Sequence, residues 1–292
     1  MSDSDYLLDM QLEAFQRLSS FLNETPDAIT GSLVKRLQQQ LGCGPKYAYT
    51  LLLAAACGLD TASNAMHKDM FRMVVEPAVH LLDVREYQEN AYYRTIRFGS
   101  QEYKGWELCR QRYKPFEAFV CNDIEVTPDG LQVPQIGFFA EQFDFPAVLE
   151  DGRIWMTVTP NEVETMKEAV AQAHGKVLAY GLGLGYFPFM VSLKTEVTSV
   201  TVVEKDISII ELFGKQILPQ FPAKDKITVV CDDAFRYAGT RMGQKRFDFV
   251  FTDLWHDVSD GLPMYRQMKR YESLSPHSQF AYWIEKSIRC YL

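Results

Sequence analysis

The chain has 292 residues, 47% of them hydrophobic and 13% aromatic, with a formal net charge of −8. That content supplies a sizeable core and excludes a disordered chain, and the acidic balance argues against broad affinity for nucleic acid or an anionic membrane surface. The six cysteines include no CxxC pair and have the spacing of neither a zinc site nor a disulfide framework, so they read as reduced thiols and no metal is expected.

The start, "MSDSDYLLDM", lacks the basic-then-apolar order of a signal peptide, and the longest apolar run, "YTLLLAAACGL", is too short to span a bilayer. The expectation is a cytoplasmic protein without a membrane segment. Residues 5–80 carry apolar residues at helical spacing and predict a helical domain. The helix of "MHKDMFRMVVEPAVHLL" must bend or stop near Pro77.

Residues 85–114 interleave Arg94, Arg97, Arg110 and Arg112 with several tyrosines and Trp106. Two readings stand: a solvated face with snorkelling arginines, or a surface for an anionic or aromatic substrate. On the second, Arg97 and Arg110 are substrate residues.

Residues 115–158 read as β structure. "TPDG" (127–130) and "LEDGR" (149–153) are turn signals, the latter joining the strands of a hairpin. In "TPNEVETMKEAVAQAHG", Thr159 fits an N-cap, Pro160 the first helical position and Glu162 the reciprocal acid of a capping box. Thr157 and Thr159 are also candidates to line a ligand pocket.

From residue 176 strands and helices alternate: "KVLAY", "VTSVTVVE", "KITVVC", "RFDFVFTDLW" and "SQFAYWIE" are strands, with helical patterns between them. That order implies crossover connections and a doubly wound, mostly parallel sheet. The predicted fold class is thus α/β, preceded by a mainly helical N-terminal domain (1–115) and a β-rich connecting region with a short hairpin (116–158); the parallel-sheet domain is 159–292.

Ligands in such sheets bind beyond the carboxyl ends of the strands. There the sequence places Gly181, Gly183 and Gly185, spaced G-x-G-x-G rather than as the dinucleotide fingerprint G-x-G-x-x-G. Glu204 ends the second strand, Asp232 and Asp233 follow the third, and Asp253 ends the fourth. An acid after the second strand suits a pair of ribose hydroxyls. Each acid by itself also suits a helix N-cap.

Together "VLAYGLGLGYF", "VTVVEKD", "ITVVCDDAF" and "FDFVFTDLW" resemble the first four motifs of class I S-adenosylmethionine-dependent methyltransferases, over about residues 159–285. "VTVVEKDISIIELF" looks particularly like the spermidine synthase branch of that superfold. The resemblance implies S-adenosylmethionine as cofactor, with Gly181, Gly183 and Gly185 at its methionine part, Glu204 at the ribose, and Asp232 and Asp233 at the adenine. Tyr180, Lys205 and Ala234 join that set. Asp253 faces the reacting centre and, with His256, is a catalytic candidate; Trp255 is a substrate candidate, and Asp257 lies beside them. Ala179 stands where the family usually has an acid, and the amino-group motif of nucleic-acid methyltransferases is absent. The expected function is methyl transfer to a small-molecule or protein acceptor. The alternatives are aminopropyl transfer from decarboxylated S-adenosylmethionine, or a degenerate fold acting as a binding module.

Overall fold

A computed structural model describes residues 3–99, 101–103 and 105–292. The chain divides into two compact units, each made of two segments: Met1–Glu86 with Arg112–Asp144, and Tyr87–Gln111 with Phe145–Leu292. These boundaries differ from the sequential 1–115, 116–158 and 159–292. The reason is strand pairing and aromatic packing between residues far apart in the chain.

The first unit begins with helices α1 (Asp3–Glu24), α2 (Gly31–Leu41) and α3 (Pro45–Ala56). Helix α4 (Ala65–Met70) runs through a π turn (Phe71–Val75) into the short α5 (Glu76–Ala78), with Pro77 in its first turn. The helical pattern then ends earlier than the sequence suggested. Val79–Leu82 form strand β1, because they pair in parallel with a strand more than fifty residues downstream. After α6 (Val84–Gln88), α7 (Ala91–Thr95), β2 (Gln101–Tyr103) and β3 (Trp106–Tyr113), that partner arrives as β5 (Gln132–Phe139), itself antiparallel to β4 (Phe119–Val126). Sheet β1-β5-β4 closes the core of this unit, where Tyr49 of α3 stacks on Phe138 with ring centroids 3.8 Å apart.

In the second unit, β6 (Phe143–Glu150) and β7 (Arg153–Thr157) form the expected hairpin. Asp151 and Gly152 both have positive φ, as a two-residue hairpin turn requires. The sheet order is β2-β3-β6-β7. Helix α8 (Pro160–Gln172) then leads to a five-stranded sheet. Its strands are β8 (Gly175–Tyr180), β9 (Val197–Glu204), β10 (Ile227–Cys231), β11 (Phe249–Thr252) and β12 (Gln279–Tyr282). Every pairing is parallel, and the order is β10-β9-β8-β11-β12. The intervening helices are α9 (Tyr186–Ser192), α10 (Ile207–Leu212), α11 (Ala234–Thr240) and α12 (Val258–Lys269), with α13 (Glu285–Arg289) last. Valines and phenylalanines fill both faces of the central strands, as burial on two sides demands.

The strand order reverses at β8: the chain moves outward through β9 and β10, then returns to pair β11 on the other side. A crevice opens at the carboxyl ends where connections leave in opposite directions. Among the described residues, no helix is long and apolar enough to cross a membrane.

Candidate functional site

The turn after β8 uses its glycines for three different purposes. Gly181 has φ +93°, and a Cβ there would lie 2.0 Å from the carbonyl oxygen of Asp253; glycine lets the end of β8 press against the end of β11. Gly183 has φ +53°, and a Cβ there would meet nothing nearer than the Met156 sulfur at 3.8 Å. A Cβ there fits without a clash. Gly185 is a packing position, since a Cβ would run into the Phe213 ring at 2.5 Å. The turn is braced by α7: Tyr92 Oη donates to the Leu184 carbonyl at 2.6 Å, and Asn90 Nδ2 donates to Tyr186 Oη at 3.0 Å.

A cavity of about 470 Å³ lies over this turn, within the range of small-molecule sites. Gly181, Leu182 and Gly183 line it, as do residues at the ends of β9, β10 and β11. Seven of the lining residues are acidic, against Lys205 and His256 as the only basic ones. Five of the seven acids are committed within the fold. Glu204 Oε1 accepts from the backbone N–H groups of Lys205 and Asp206, and Oε2 from that of Leu182 at 3.2 Å. A carboxylate has about four acceptor sites, so Oε2 keeps capacity for a ligand hydroxyl. Asp206 caps α10 and Asp233 caps α11. Asp232 is buried and paired with Arg236 and, at 3.7 Å, Arg241. Asp260 completes the capping box of α12 and pairs with His256 Nδ1 at 3.2 Å.

The other two acids are Glu162, in the first turn of α8, and Asp253, just past β11. Neither carboxyl has a hydrogen-bond or ion-pair partner among the described residues. Burial pushes the Asp253 carboxyl above the ordinary carboxylate range. Burial, and then the charge on Asp253, push Glu162 well above it. Thr159 does precede α8 in extended conformation, but its side chain makes no capping bond. The predicted capping box is therefore absent, and Glu162 points to the cavity instead of back to the helix start.

Aromatic and apolar groups complete the walls. Trp155 of β7 is 39% exposed; its ring meets His256 edge-on at 5.4 Å and Trp106 at 5.8 Å. Trp255 is buried against α12 where Gly261 makes room for it, a Cβ there lying 2.9 Å from the indole. Its Nε1–H has no hydrogen-bond partner among the described residues. Val203, Ile209 and Phe235 line the side near Glu204.

No family model matches the chain, and no curated protein does. Among solved structures, the chain is similar to a conserved hypothetical protein of Streptococcus pyogenes, with 18% identity and a TM-score of 0.30 over 37% of this chain and 65% of that one. It is similar to a putative O-methyltransferase from Klebsiella pneumoniae, with 15% identity and a TM-score of 0.29 over 37% of this chain and 48% of that one. It is also similar to spermidine synthase from Thermotoga maritima, with 18% identity and a TM-score of 0.34 over 48% of this chain and 53% of that one. The chain thus spans about half to two thirds of the length of these structures.

The structure brings most of the sequence-derived residues together. Gly181, Gly183, Glu204, Lys205, Asp232, Asp233, Ala234 and Asp253 line one cavity, and so do His256, Trp255 and Thr157. Tyr180, Gly185 and Thr159 do not line it. Tyr180 is wholly buried with its ring against Tyr237, at 6.2 Å, and belongs to the core. Asp257 is the N-cap of α12. Arg97 and Arg110 are exposed and outside the lining, as are Arg94 and Arg112. Arg112 pairs with Asp144, and the Arg97 backbone N–H donates to Gln220. Some of the tyrosines among them serve the core: Tyr92 and Tyr93 are buried, and Tyr93 Oη donates to the Val158 carbonyl.

Sequence reasoning missed Glu162, Trp155 and Asp260. Glu162 carried a signal, an acid one turn into the helix that precedes the glycine strand, but capping chemistry accounted for it equally well. Trp155 sits in a hairpin strand whose position over the cavity no local pattern encodes.

Proposed function

We propose that this cavity binds S-adenosylmethionine and that the chain is a methyltransferase acting on a small-molecule or protein acceptor. The observation that carries the reading is the partnerless carboxyl pair, Glu162 and Asp253, in an acidic cavity without arginine at the reversal of strand order. A dinucleotide would set two phosphates among seven acids, against Coulomb repulsion. A sulfonium ligand brings the opposite charge.

The residues present fit such a ligand. Gly183 leaves space beside the backbone, Glu204 Oε2 has a free acceptor site at the end of β9, and Val203, Ile209 and Phe235 offer an apolar surface to a flat base. The bound cofactor supplies a methyl group already activated by positive charge on sulfur. This chain's own tasks are then to orient the acceptor, keep water out and receive a proton. Asp253 holds that proton on its carboxyl oxygens. Its raised pKa brings it closer to neutral pH, where a general base works best. Trp255, buried beside the site, helps to shield it from solvent.

A second reading has its own observation in support. The lining has no arginine for a methionine carboxylate, which favours decarboxylated S-adenosylmethionine and aminopropyl transfer. Calorimetric titration with S-adenosylmethionine, its decarboxylated form and NAD separates the readings. The proposal expects saturable binding of S-adenosylmethionine, weakened in Glu204→Ala by about 1–3 kcal/mol as ribose hydroxyls lose their acceptor. Tight NAD binding with no S-adenosylmethionine affinity would overturn it, and preference for the decarboxylated form would establish the second reading.

A further inference from the structure

We propose that the outer part of the cavity is the acceptor site, and that the acceptor is an arylalkylamine: one ammonium head on a flat apolar body. The inference rests on the methyltransferase reading and names the substrate class of the same site.

The head group follows from how the acids are used. Asp206, Asp232, Asp233 and Asp260 are held by helix caps or ion pairs, and Glu204 accepts three backbone N–H groups. Of the acids that line the cavity, only Glu162 and Asp253 offer carboxyls without a protein partner among the described residues. They face the same cavity close enough for the charge on Asp253 to act on Glu162. One uncommitted carboxyl pair, which takes up charge as it ionises against a cation, calls for one cationic head. A polyamine would need a second, distant acid, and the remaining acids are occupied.

The body follows from the walls. Trp155 projects from β7 into the lining, 39% exposed, with His256 standing edge-on to it at 5.4 Å. Leu254 and Met264 line the same cavity, and Met264 supplies a polarisable thioether. An indole face and a thioether beside a carboxyl pair suit an aromatic ring carrying an ammonium group, through ring packing and cation–π attraction. The arginines that would recognise an anionic acceptor are absent from the lining.

The test uses the full chain and three probes: 2-phenylethylamine, 3-phenylpropionate, which has a similar body and the opposite charge, and spermidine. Binding is read by calorimetry and by quenching of tryptophan fluorescence, with S-adenosylmethionine titrated separately. The proposal expects 2-phenylethylamine to bind about tenfold or more tightly than either other probe. Glu162→Gln and Trp155→Leu should each weaken it by about tenfold, and Trp155→Leu should leave S-adenosylmethionine affinity within about twofold. Thermal melting checks that both variants are folded, and the near-isosteric Glu162→Gln keeps the test open if Trp155→Leu is not. Equal or tighter binding of 3-phenylpropionate or spermidine overturns the proposal, as does 2-phenylethylamine affinity unchanged in both variants. S-adenosylmethionine binding with no amine binding overturns this inference alone. Amine binding without S-adenosylmethionine binding supports the amine site and overturns the methyltransferase reading.

Discussion

Glu162 and Asp253 make the molecule's stability depend on pH in a definite direction. Both carboxyls have raised pKa values in the folded chain, chiefly through burial. Above the ordinary carboxyl pKa the unfolded chain has released these protons while the native state still holds them. The native state then binds more protons, so stability falls as pH rises toward the folded values. Glu162→Gln should therefore melt several degrees above the parent protein at pH 8, with the difference gone near pH 4. Melting curves across that range check it, and a parent protein more stable than the variant at pH 8 would contradict it. The glycine turn supplies a second contrast. Gly181→Ala drives a Cβ into the Asp253 carbonyl and should cost fold stability outright. Gly183→Ala meets only an ordinary contact with the Met156 sulfur and should cost only about 1 kcal/mol, from positive φ, while weakening the ligand. Melting temperature and ligand affinity measured on both variants separate the two roles.

At the scale of elements, the glycine strand is aimed by the helix before it, and that helix is held at its far end by one lysine. Lys194, after α9, donates from Nζ to the carbonyls of Val170, Ala171 and Ala173, at 2.7, 2.6 and 2.7 Å. These are among the carbonyls that a helix C-terminus leaves without partners, and a cation there also meets the negative end of the helix dipole. Lys194→Met keeps the aliphatic stem and removes the donor. It should destabilise the protein by about 1–3 kcal/mol. It should also shift Glu162, which rides on the first turn of the same helix, and so lower ligand affinity. Denaturant unfolding together with ligand titration checks both effects; a destabilised variant with unchanged affinity would separate α8 from the site.

On the scale of the whole molecule, each unit is completed by a segment distant in sequence. The second unit takes Tyr87–Gln111, which supplies Tyr92 beneath the glycine turn, Tyr93 at the start of α8, and β3 as a sheet partner for β6. A chain of residues 145–292 keeps all five parallel strands but lacks those groups. It should lose cooperative thermal unfolding and S-adenosylmethionine binding. A sharp melting transition in that fragment, followed by circular dichroism, would show that the segment is dispensable.

The repeating pattern from residue 176 onward made the parallel strands legible, because burial on two faces writes itself as short β-branched runs. Val197–Glu204 was read to the residue. The glycines and the acids at strand ends were legible for a related reason: a parallel sheet gathers the carboxyl ends of its strands at one edge, so local position implies shared position. Val79–Leu82 was not, since its strand conformation comes from pairing with β5 rather than from its own apolar run, which fits a helix as well. The arginine-rich segment left two readings open for the same reason; in the fold Tyr87, Tyr92 and Tyr93 pack inward while Arg94, Arg97, Arg110 and Arg112 face solvent.

The sequence by itself determined the parallel α/β half and the edge of the sheet where a ligand belongs, since both depend on periodicities only a few residues long. Tertiary structure decided which acids remain uncommitted. A carboxyl beside a helix start has the same local pattern whether it caps the helix or faces a cavity, and only the surrounding fold leaves Glu162 and Asp253 together without partners.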